Sequence, residues 1–564
     1  MSSRHLAAGR ALIARGDVDH TVPIRPPAAQ AAPTFDVCRP AQVRVAVAIR
    51  ARPLSSRCEE DMAYRQDTTQ MKRTRRRRLE VDDVTVVEPK TLKTAIAGAA
   101  VGNLMEWYDI GVYAYVAVII GRMFLPDGSD SARSLFSLGV FAVTFIARPL
   151  GGVILGQLGD RLGRQRVLAF TLTMMALATF LIGVLPDYSK IGLWAPVLLI
   201  VLKLMQGFST GGEYAGASTF VTEYAPDRHR ALYASVLDAG SNLGAAIGAL
   251  FVSLLQLNLS DQFMNGWGWR IPFMAALPFG AVALYFRLKV EDTPAFQAAQ
   301  EAQRNADEEA YQAVGAPKGV GALIRAYWRQ LLTGIILVAA ANTTFYAVTT
   351  YMPTYLTSTL HYDPVSGNLL IVPVLVILSA CVPLSGMLSD RLGRKRVLQI
   401  AALSAIIGSV PAFLLLMHGS TWSTFLGLLV LALPVALYLA NLAASLPALF
   451  PTESRYGGMG ITYNISVALF AGTAPVIMQG LVTLTDQPLA PAFWIMLTSL
   501  AGLFAARYMK ESARRPMPGA MPTVATQEEA RELVATQDTN PDLDLDELSD
   551  LLAADDLKQL QTAR

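Results

Sequence analysis

The sequence predicts an all-α membrane protein of twelve transmembrane helices, arranged as two pseudo-symmetric six-helix halves. Three observations carry that prediction. Residues 91–510 hold 46 charged side chains in 420 positions, about 11%, where a soluble domain carries roughly 25%. This sparsely charged body divides into apolar stretches, each near the 20 residues that cross a bilayer core. Two unrelated short motifs each occur twice with nearly one spacing, the mark of parallel repeats about an axis along the membrane normal.

The first 90 residues carry 17 basic and 11 acidic side chains. They show no apolar core of a signal peptide, and they are too acidic for a transit peptide. They read as a disordered basic segment, with Met62 and Met71 as alternative true starts and Lys72 to Arg78 suited to anionic lipid headgroups. Twelve apolar segments follow at about 93–124, 134–158, 166–186, 195–224, 230–256, 267–288, 327–357, 367–388, 396–417, 422–447, 457–484 and 490–509. The first six form an N-terminal bundle over 91–288 and the last six a C-terminal bundle over 327–510. Between them, 289–326 is a polar cytoplasmic loop. The tail, 511–564, holds 5 basic and 12 acidic residues. Its leucines from Leu543 to Leu560 span too few heptads for a coiled coil, so short amphipathic helices are expected. The overall net charge of +3 thus sums a basic leader, a sparse body and an acidic tail, and describes none of them. Cys38, Cys58 and Cys381 suggest neither a disulfide nor a metal framework.

Lys and Arg concentrate in alternate connections: Arg161, Arg164 and Arg166, then Arg228 and Arg230, then Arg287 through Arg329, then Arg391 through Arg396, then Arg455. Positive loops stay cytoplasmic, so both termini are expected there.

The duplicated motifs fall in these basic connections. Gly156, Asp160, Arg161, Gly163 and Arg164 recur as Gly386, Asp390, Arg391, Gly393 and Arg394, 230 residues later. Glu223, Pro226 and Arg228 recur as Pro451, Glu453 and Arg455, at an offset of 225 for the prolines. Glycine permits the tight turn. The aspartates can accept from helix N-termini or pair with arginine across the two halves. Topological anchoring alone is the alternative, but matched duplication favours a gating latch.

Charge inside the spans is costly, so such residues face a polar cavity or each other. In the first span Asn103, Glu106, Asp109 and Tyr113 share one helical face. Two carboxylates one turn apart disfavour joint ionisation. Glu106 and Asp109 are therefore candidates for proton coupling, unless they merely reach the helix end. Arg148 lies about ten residues inside the second span. In the fourth, Lys203, Gln206, Thr210 and Glu213 form a polar stripe beside Gly207-x-x-x-Gly211 and Gly212-x-x-x-Gly216, spacings that let helices approach closely. Glu213 joins the proton-coupling candidates, although Lys203 paired with Glu213 or Asp238 would also satisfy burial. The second half contributes polar but uncharged positions, among them Asn342 and Tyr346. A substrate site is expected among Asn103, Trp107, Tyr113, Arg148, Lys203, Gln206, Asn342 and Tyr346. Aromatic faces there can hold a quaternary ammonium, and Arg148 or Lys203 a carboxylate.

The duplicated Gly-x-x-x-Asp-Arg-x-Gly-Arg loop resembles the signature of the major facilitator superfamily. Residues 102–109, 147–152, 203–214 and 267–273 are similar to its metabolite:proton symporters, and 83–87, 291–297, 350–356 and 526–533 to the bacterial proline/glycine betaine transporters among them. That resemblance implies a major facilitator fold and proton-coupled import of small zwitterionic osmoprotectants such as proline, glycine betaine and ectoine, activated by high osmolality. It implies no cofactor and no nucleic-acid partner. A dicarboxylate or ketoacid:proton symporter of the same family is the alternative. The chain contains no Gly-Lys-Ser/Thr phosphate loop and no His-Glu-x-x-His, and only five histidines. An ATP-driven pump, a metalloenzyme and a catalytic site are therefore not expected.

Overall fold

The computed structural model describes residues 77–562 apart from 88, 129, 163, 289–318 and 363. The first half comprises α1 (Pro89–Phe124), α2 (Asp130–Leu162), α3 (Arg164–Val184), α4 (Trp194–Tyr224), α5 (Arg230–Asn258) and α6 (Ala276–Leu288). The second comprises α7 (Val320–Tyr346), α8 (Pro364–Leu392), α9 (Arg394–Met417), α10 (Thr421–Ser445), α11 (Arg455–Ser466) and α12 (Ala490–Tyr508). The sixth apolar segment is broken, since the turns Gly268–Arg270 and Ile271–Met274 precede α6. Two helices of the second half continue through π-helical turns, α7 at Ala347–Tyr351 and α11 at Val467–Ala471, beyond which Ala474–Thr485 completes the crossing. Such turns shift the helix face by part of a turn and re-aim the side chains on either side.

Among the described residues nine helices are long and apolar enough to cross a membrane. The outer faces of the bundle carry large apolar side chains that stay exposed, including Ile146, Leu150, Trp194, Trp422 and Leu484. In water so much apolar surface would drive association; against lipid tails it is the solvated side.

Without a hydrophobic drive between helices, close packing holds them, and small residues decide where it occurs. A Cβ on Gly151 would sit 1.9 Å from the Phe208 carbonyl oxygen, on Gly207 2.0 Å from that of Thr144, and on Gly211 2.2 Å from that of Arg148. The α2 and α4 backbones therefore touch. Gly244 against the Leu104 carbonyl, 2.1 Å by the same measure, does the same for α1 and α5. The halves meet where Gly460 of α11 abuts the Gly152 carbonyl of α2, and where Gly386 of α8 abuts the Ala231 carbonyl of α5.

Residues 77–87 depart from the expected disordered segment. Thr85 and Val86 pair in parallel with Thr523 and Val524, the β1 and β2 of a two-stranded sheet. Leu79 packs with Leu548 and Leu552, and Gln537 both donates to the Leu79 carbonyl and accepts from its N–H. The cause is a few apolar residues within a charged run: Leu79 and Val84 pack on tail residues more than 400 positions away, and the Val87 N–H donates to the Val524 carbonyl. The tail itself forms α13 (Gln527–Ala535) and α14 (Leu545–Thr562). The rest of the expected leader, Lys72 to Arg76 and both alternative starts included, lies outside the described residues, as does 289–318.

Candidate functional site

A buried ionic centre lies within the first half and faces the seam between the halves. Arg148 donates from Nη2 to Glu106 Oε1 at 2.9 Å, with both side chains 2% exposed. One turn further along α1, Asp109 faces Lys203 Nζ at 3.5 Å, and that ammonium stands 4.1 Å from the centre of the Tyr113 ring. The two carboxylates thus each have their own cation. Glu106 and Asp109 are therefore not an isolated carboxylate pair, and Lys203 meets Asp109 rather than the alternative partners Glu213 or Asp238. The reason is helix rotation: α2 and α4 both pack on α1 and deliver one cation each. Glu106 Oε2, Asp109 Oδ1 and Arg148 Nε remain buried without a hydrogen bond. So the centre keeps polar capacity that its own residues do not use.

Aromatic rings from both halves wall this centre. Trp107 meets Phe345 edge to face at 5.0 Å and Tyr346 at 6.1 Å, while Phe145 meets Tyr346 at 6.0 Å and lies 5.8 Å beneath the Arg148 guanidinium. Trp107, Arg148 and Tyr346 are therefore together, with buried Asn342 one turn before Tyr346 on α7; Asn342 Nδ2 makes no hydrogen bond. Other expected members hold helices together instead. Asn103 donates to the Leu237 carbonyl at 2.8 Å and to Ser241, fastening α1 to α5. Gln206 donates to Thr179 at 2.7 Å, and Glu213 accepts from Thr171 at 2.6 Å, both toward α3. Tyr113 donates to the Ser137 carbonyl at 3.1 Å.

At the end of the bundle where the duplicated loops lie, the halves are fastened. Arg455 donates from Nη1 to Glu223 Oε1 at 2.6 Å, with exposures of 0% and 1%. Asp390 accepts from the N–H groups of Ala231 and Leu232 at 2.9 Å each, capping α5 from the other half, where the helix dipole favours a carboxylate. Tyr456 donates to the Gly212 carbonyl, Asn464 to that of Gly211, and Ser218 to that of Ala443, all within 2.8 Å. This end of the seam is closed.

The latch differs from expectation at several positions. Arg228 is exposed and pairs at 3.6 Å with Glu532 of the tail; its neighbour Arg230 is the buried one, held by Asp227 and by the Thr222 carbonyl at 3.1 Å. Arg391 is exposed. Buried Arg394 donates to the Ala444 carbonyl at 3.2 Å and to Ser512 at 2.9 Å. Gly393 adopts φ +97° before α9, a conformation in which other residues are strained. In the first motif copy Gly163, the surroundings of Gly156 and the side chains of Asp160, Arg161 and Arg164 lie outside the described residues.

Sequence reasoning missed the tail's part in this latch. Glu511 accepts from the N–H groups of Arg394 and Lys395 at the start of α9. The Pro518 and Arg515 carbonyls accept from Arg455 and Arg230 at 2.8 and 3.0 Å, and the Thr523 N–H donates to Asp227 at 3.1 Å. Most of these partners are backbone groups, which no side-chain pattern announces. It also missed the stacked rings of Tyr214 and Tyr463, 4.1 Å apart across the seam. Tyr214 directly follows the polar stripe of α4, and no pattern marked Tyr463.

A helical bundle of two halves, closed at one end and walled around buried ion pairs, defines a multi-pass membrane transporter of the major facilitator type rather than an enzyme. The model of the sugar (and other) transporter family matches residues 95–519, and the chain belongs to that family. It is 46% identical over 472 residues to the ectoine/proline transporter ProP of Corynebacterium glutamicum, covering 83% of this chain and 94% of that one. It is 40% identical over 483 residues to the proline/betaine transporter of Escherichia coli strain K12, covering 86% and 96%. The resemblance read from the motifs is thereby borne out. Among solved structures, the proton:xylose symporter XylE bound to 6-bromo-6-deoxy-D-glucose aligns with a TM-score of 0.63 at 17% identity, covering 78% of this chain and 99% of that one. An inward-open form of XylE from E. coli aligns at 0.50 over the same shares.

Proposed function

We propose that the protein is a proton-coupled symporter that imports zwitterionic osmoprotectants, among them proline, glycine betaine and ectoine, by alternating access. The observation that carries this reading is the Glu106–Arg148 pair, buried and facing an aromatic wall contributed by both halves. A zwitterion brings a carboxylate and a cation. Its carboxylate takes Arg148 once a proton on Glu106 has removed the competing charge, and its ammonium lies against Trp107, Phe345 and Tyr346. Proton and substrate then depend on each other, because each alone leaves a buried charge unpaired. Asp109 and Lys203 form a second charge-neutral pair behind this site. The named relatives support the substrate class, and the alternate placement of Lys and Arg supports an inner-membrane orientation with both termini cytoplasmic. The duplicated latch then lies on the cytoplasmic side, activation follows osmolality, and Lys72 to Arg78 meet anionic lipid.

The test is uptake in proteoliposomes. Proline or betaine accumulation should collapse when the proton gradient is dissipated; accumulation driven by a sodium gradient alone would refute proton coupling. Competition of labelled proline uptake by betaine, ectoine, 2-oxoglutarate and citrate, at low and high osmolality, tests substrate class and activation together. Inhibition by 2-oxoglutarate and citrate alone would move the assignment to the dicarboxylate or ketoacid symporters.

A further inference from the structure

Among the described residues five other buried carboxylates meet a cation or a helix end: Glu106 has Arg148, Asp109 has Lys203, Glu223 has Arg455, Asp227 has Arg230, and Asp390 caps a helix, while Glu213 accepts from the Thr171 hydroxyl at 2.6 Å. Asp238 is different. It is 3% exposed, and its carboxylate accepts from the Tyr214 hydroxyl at 3.3 Å. Among the described residues no Lys, Arg or His lies within ion-pairing distance of it.

Its surroundings supply no hidden counter-charge. From α1 come Glu106, itself acidic, and Lys93, which the register places about 7.5 Å toward the latch but which is exposed and outside ion-pairing distance. From α4 come Tyr214 and Glu213, and Glu213 turns to Thr171. From α11 comes Tyr463, stacked on Tyr214. On α8, beside Ser379, which donates to the Ala239 carbonyl, the charged residues are Asp390 and Arg391 at the latch. The α10 sequence holds no acid, Lys, Arg or His.

Position completes the argument. Gly240 lies against the Ala100 carbonyl and Gly244 against that of Leu104, so α1 and α5 run side by side in one direction. At 1.5 Å per residue this register sets Asp238 about 12 Å nearer the latch than Glu106, and about 12 Å inside Arg230. The carboxyl therefore sits midway between the ionic centre and the latch. The rings of Tyr214, from one half, and Tyr463, from the other, stack beside it. Opening the latch end requires the halves to part there, which separates the rings and admits water.

We propose that Asp238 is the proton-release group of the transport cycle: it holds the transported proton while the latch end is closed and gives it up when the Tyr214–Tyr463 contact parts. In the closed arrangement an ionised Asp238 would be a buried charge with one long hydrogen bond from Tyr214 and no counter-charge, so the carboxylic acid is the form the site accepts. On opening, the O–H bond of the acid breaks, the proton passes to entering water, and the carboxylate left behind is hydrated. The Tyr214 hydroxyl sits in the same half and stays beside it throughout. This inference rests on the proton-coupled reading above and adds a release point to it: when substrate leaves and Arg148 pairs again with Glu106, the Glu106 proton refills Asp238 through the entered water, so in each cycle one proton enters at Glu106 and one leaves at Asp238.

The test uses the full chain in proteoliposomes with an internal pH dye. It measures proline counterflow without a gradient, accumulation under an imposed proton gradient, and proline-induced proton entry. Wild type losing accumulation on dissipation of the gradient secures the underlying reading; wild type accumulating without it overturns that reading and the inference with it, whereas failure of the variants below overturns the inference alone. Asp238→Asn should keep the counterflow KM within about twofold while losing accumulation and proton entry by at least about tenfold, and Asp238→Glu should restore both. Retained accumulation in Asp238→Asn overturns the proposal. A counterflow KM raised about tenfold overturns it in favour of a substrate-cation subsite. Should Asp238→Asn not insert, Tyr214→Phe keeps the ring stack and removes the hydroxyl. It should move the pH of half-maximal accumulation by about half a unit or more, and an unmoved profile overturns the proposal.

Discussion

Replacing Glu223 by Gln should open the latch end without touching the ionic centre. The carboxylate meets Arg455 at 2.6 Å with both side chains essentially inaccessible. Removing one partner of a buried pair costs about 3–5 kcal/mol, because the remaining charge stays buried. Arg455 also donates to the carbonyls of Pro447, Phe450 and Pro518, which soften the loss, so about 3 kcal/mol, the lower end, applies. That cost falls on the closed state alone, since in the open state water hydrates the guanidinium. At 1.4 kcal/mol per tenfold, the closed population drops about a hundredfold relative to the open one. A reporter is at hand in Ser218, buried and bonded across the seam to the Ala443 carbonyl. In a background with Cys38, Cys58 and Cys381 replaced by Ser, Ser218→Cys should react slowly with an impermeant maleimide supplied from the latch side. With Glu223→Gln the rate should rise by one to two orders of magnitude, and the charge-swapped pair Glu223→Arg with Arg455→Glu should recover part of the protection. Unchanged labelling in Glu223→Gln would refute the reasoning, since the pair would then carry no closing energy.

Three further outcomes follow from the same geometry. Asp109→Asn strands the Lys203 ammonium, 3% exposed, over the Tyr113 ring. It should lower stability by about 3 kcal/mol, and adding Lys203→Met should restore the melting temperature in detergent; equal instability of single and double variants would show that the pair is not the cause. Gly207→Ala places a Cβ 2.0 Å from the Thr144 carbonyl. It should cost about 1–3 kcal/mol by forcing α2 from α4, visible as a lower melting temperature, whereas Gly139→Ala, whose Cβ would meet nothing within 4 Å, should not. Truncation after Lys510 removes the acceptors that Arg394, Arg455 and Arg230 find in the tail, and should speed maleimide labelling at Ser218→Cys several-fold; an unaltered rate would show that the tail lies on the latch without holding it.

The sequence disclosed the spans because their signal is local. Twenty apolar residues in a row have few other uses, and the repeated Asp-Arg loops exposed the two halves. The site was legible as a set of residue types but not as pairs. Charges in the spans were few enough to name, yet which cation answers which carboxylate depends on the rotation of α2 and α4 against α1. That rotation is set by Gly151, Gly207 and Gly211 meeting carbonyl oxygens, and a glycine spacing says that helices touch without saying which face is then turned inward. The tail was least legible. Its grip on Arg455, Arg230 and Asp227 is made largely by backbone groups of residues 515–523, and its sheet partner, Thr85–Val86, lies in a stretch whose composition resembles disorder.

The charges of this molecule divide into two systems with different energetic roles. Glu106–Arg148 and Asp109–Lys203 lie wholly within the first half. Moving the halves apart leaves both pairs intact, so they respond only to what enters the site: a proton on a carboxylate or a substrate carboxylate on Arg148. Glu223–Arg455 and the Asp390 cap on α5 cross between halves. They break when the latch end opens, and nothing bound at the centre touches them. Coupling therefore needs a link that belongs to both systems. The candidates are groups that lie between them and change neighbours with the seam: the Trp107–Phe345–Tyr346 wall on the one side, and the Tyr214–Tyr463 stack beside Asp238 on the other. A substrate that draws the aromatic wall together favours one arrangement of the halves only through its differential contact with the second half. Since that half brings no formal charge to the centre, the aromatic contacts carry the substrate's share of the work and the carboxyl groups carry the proton's.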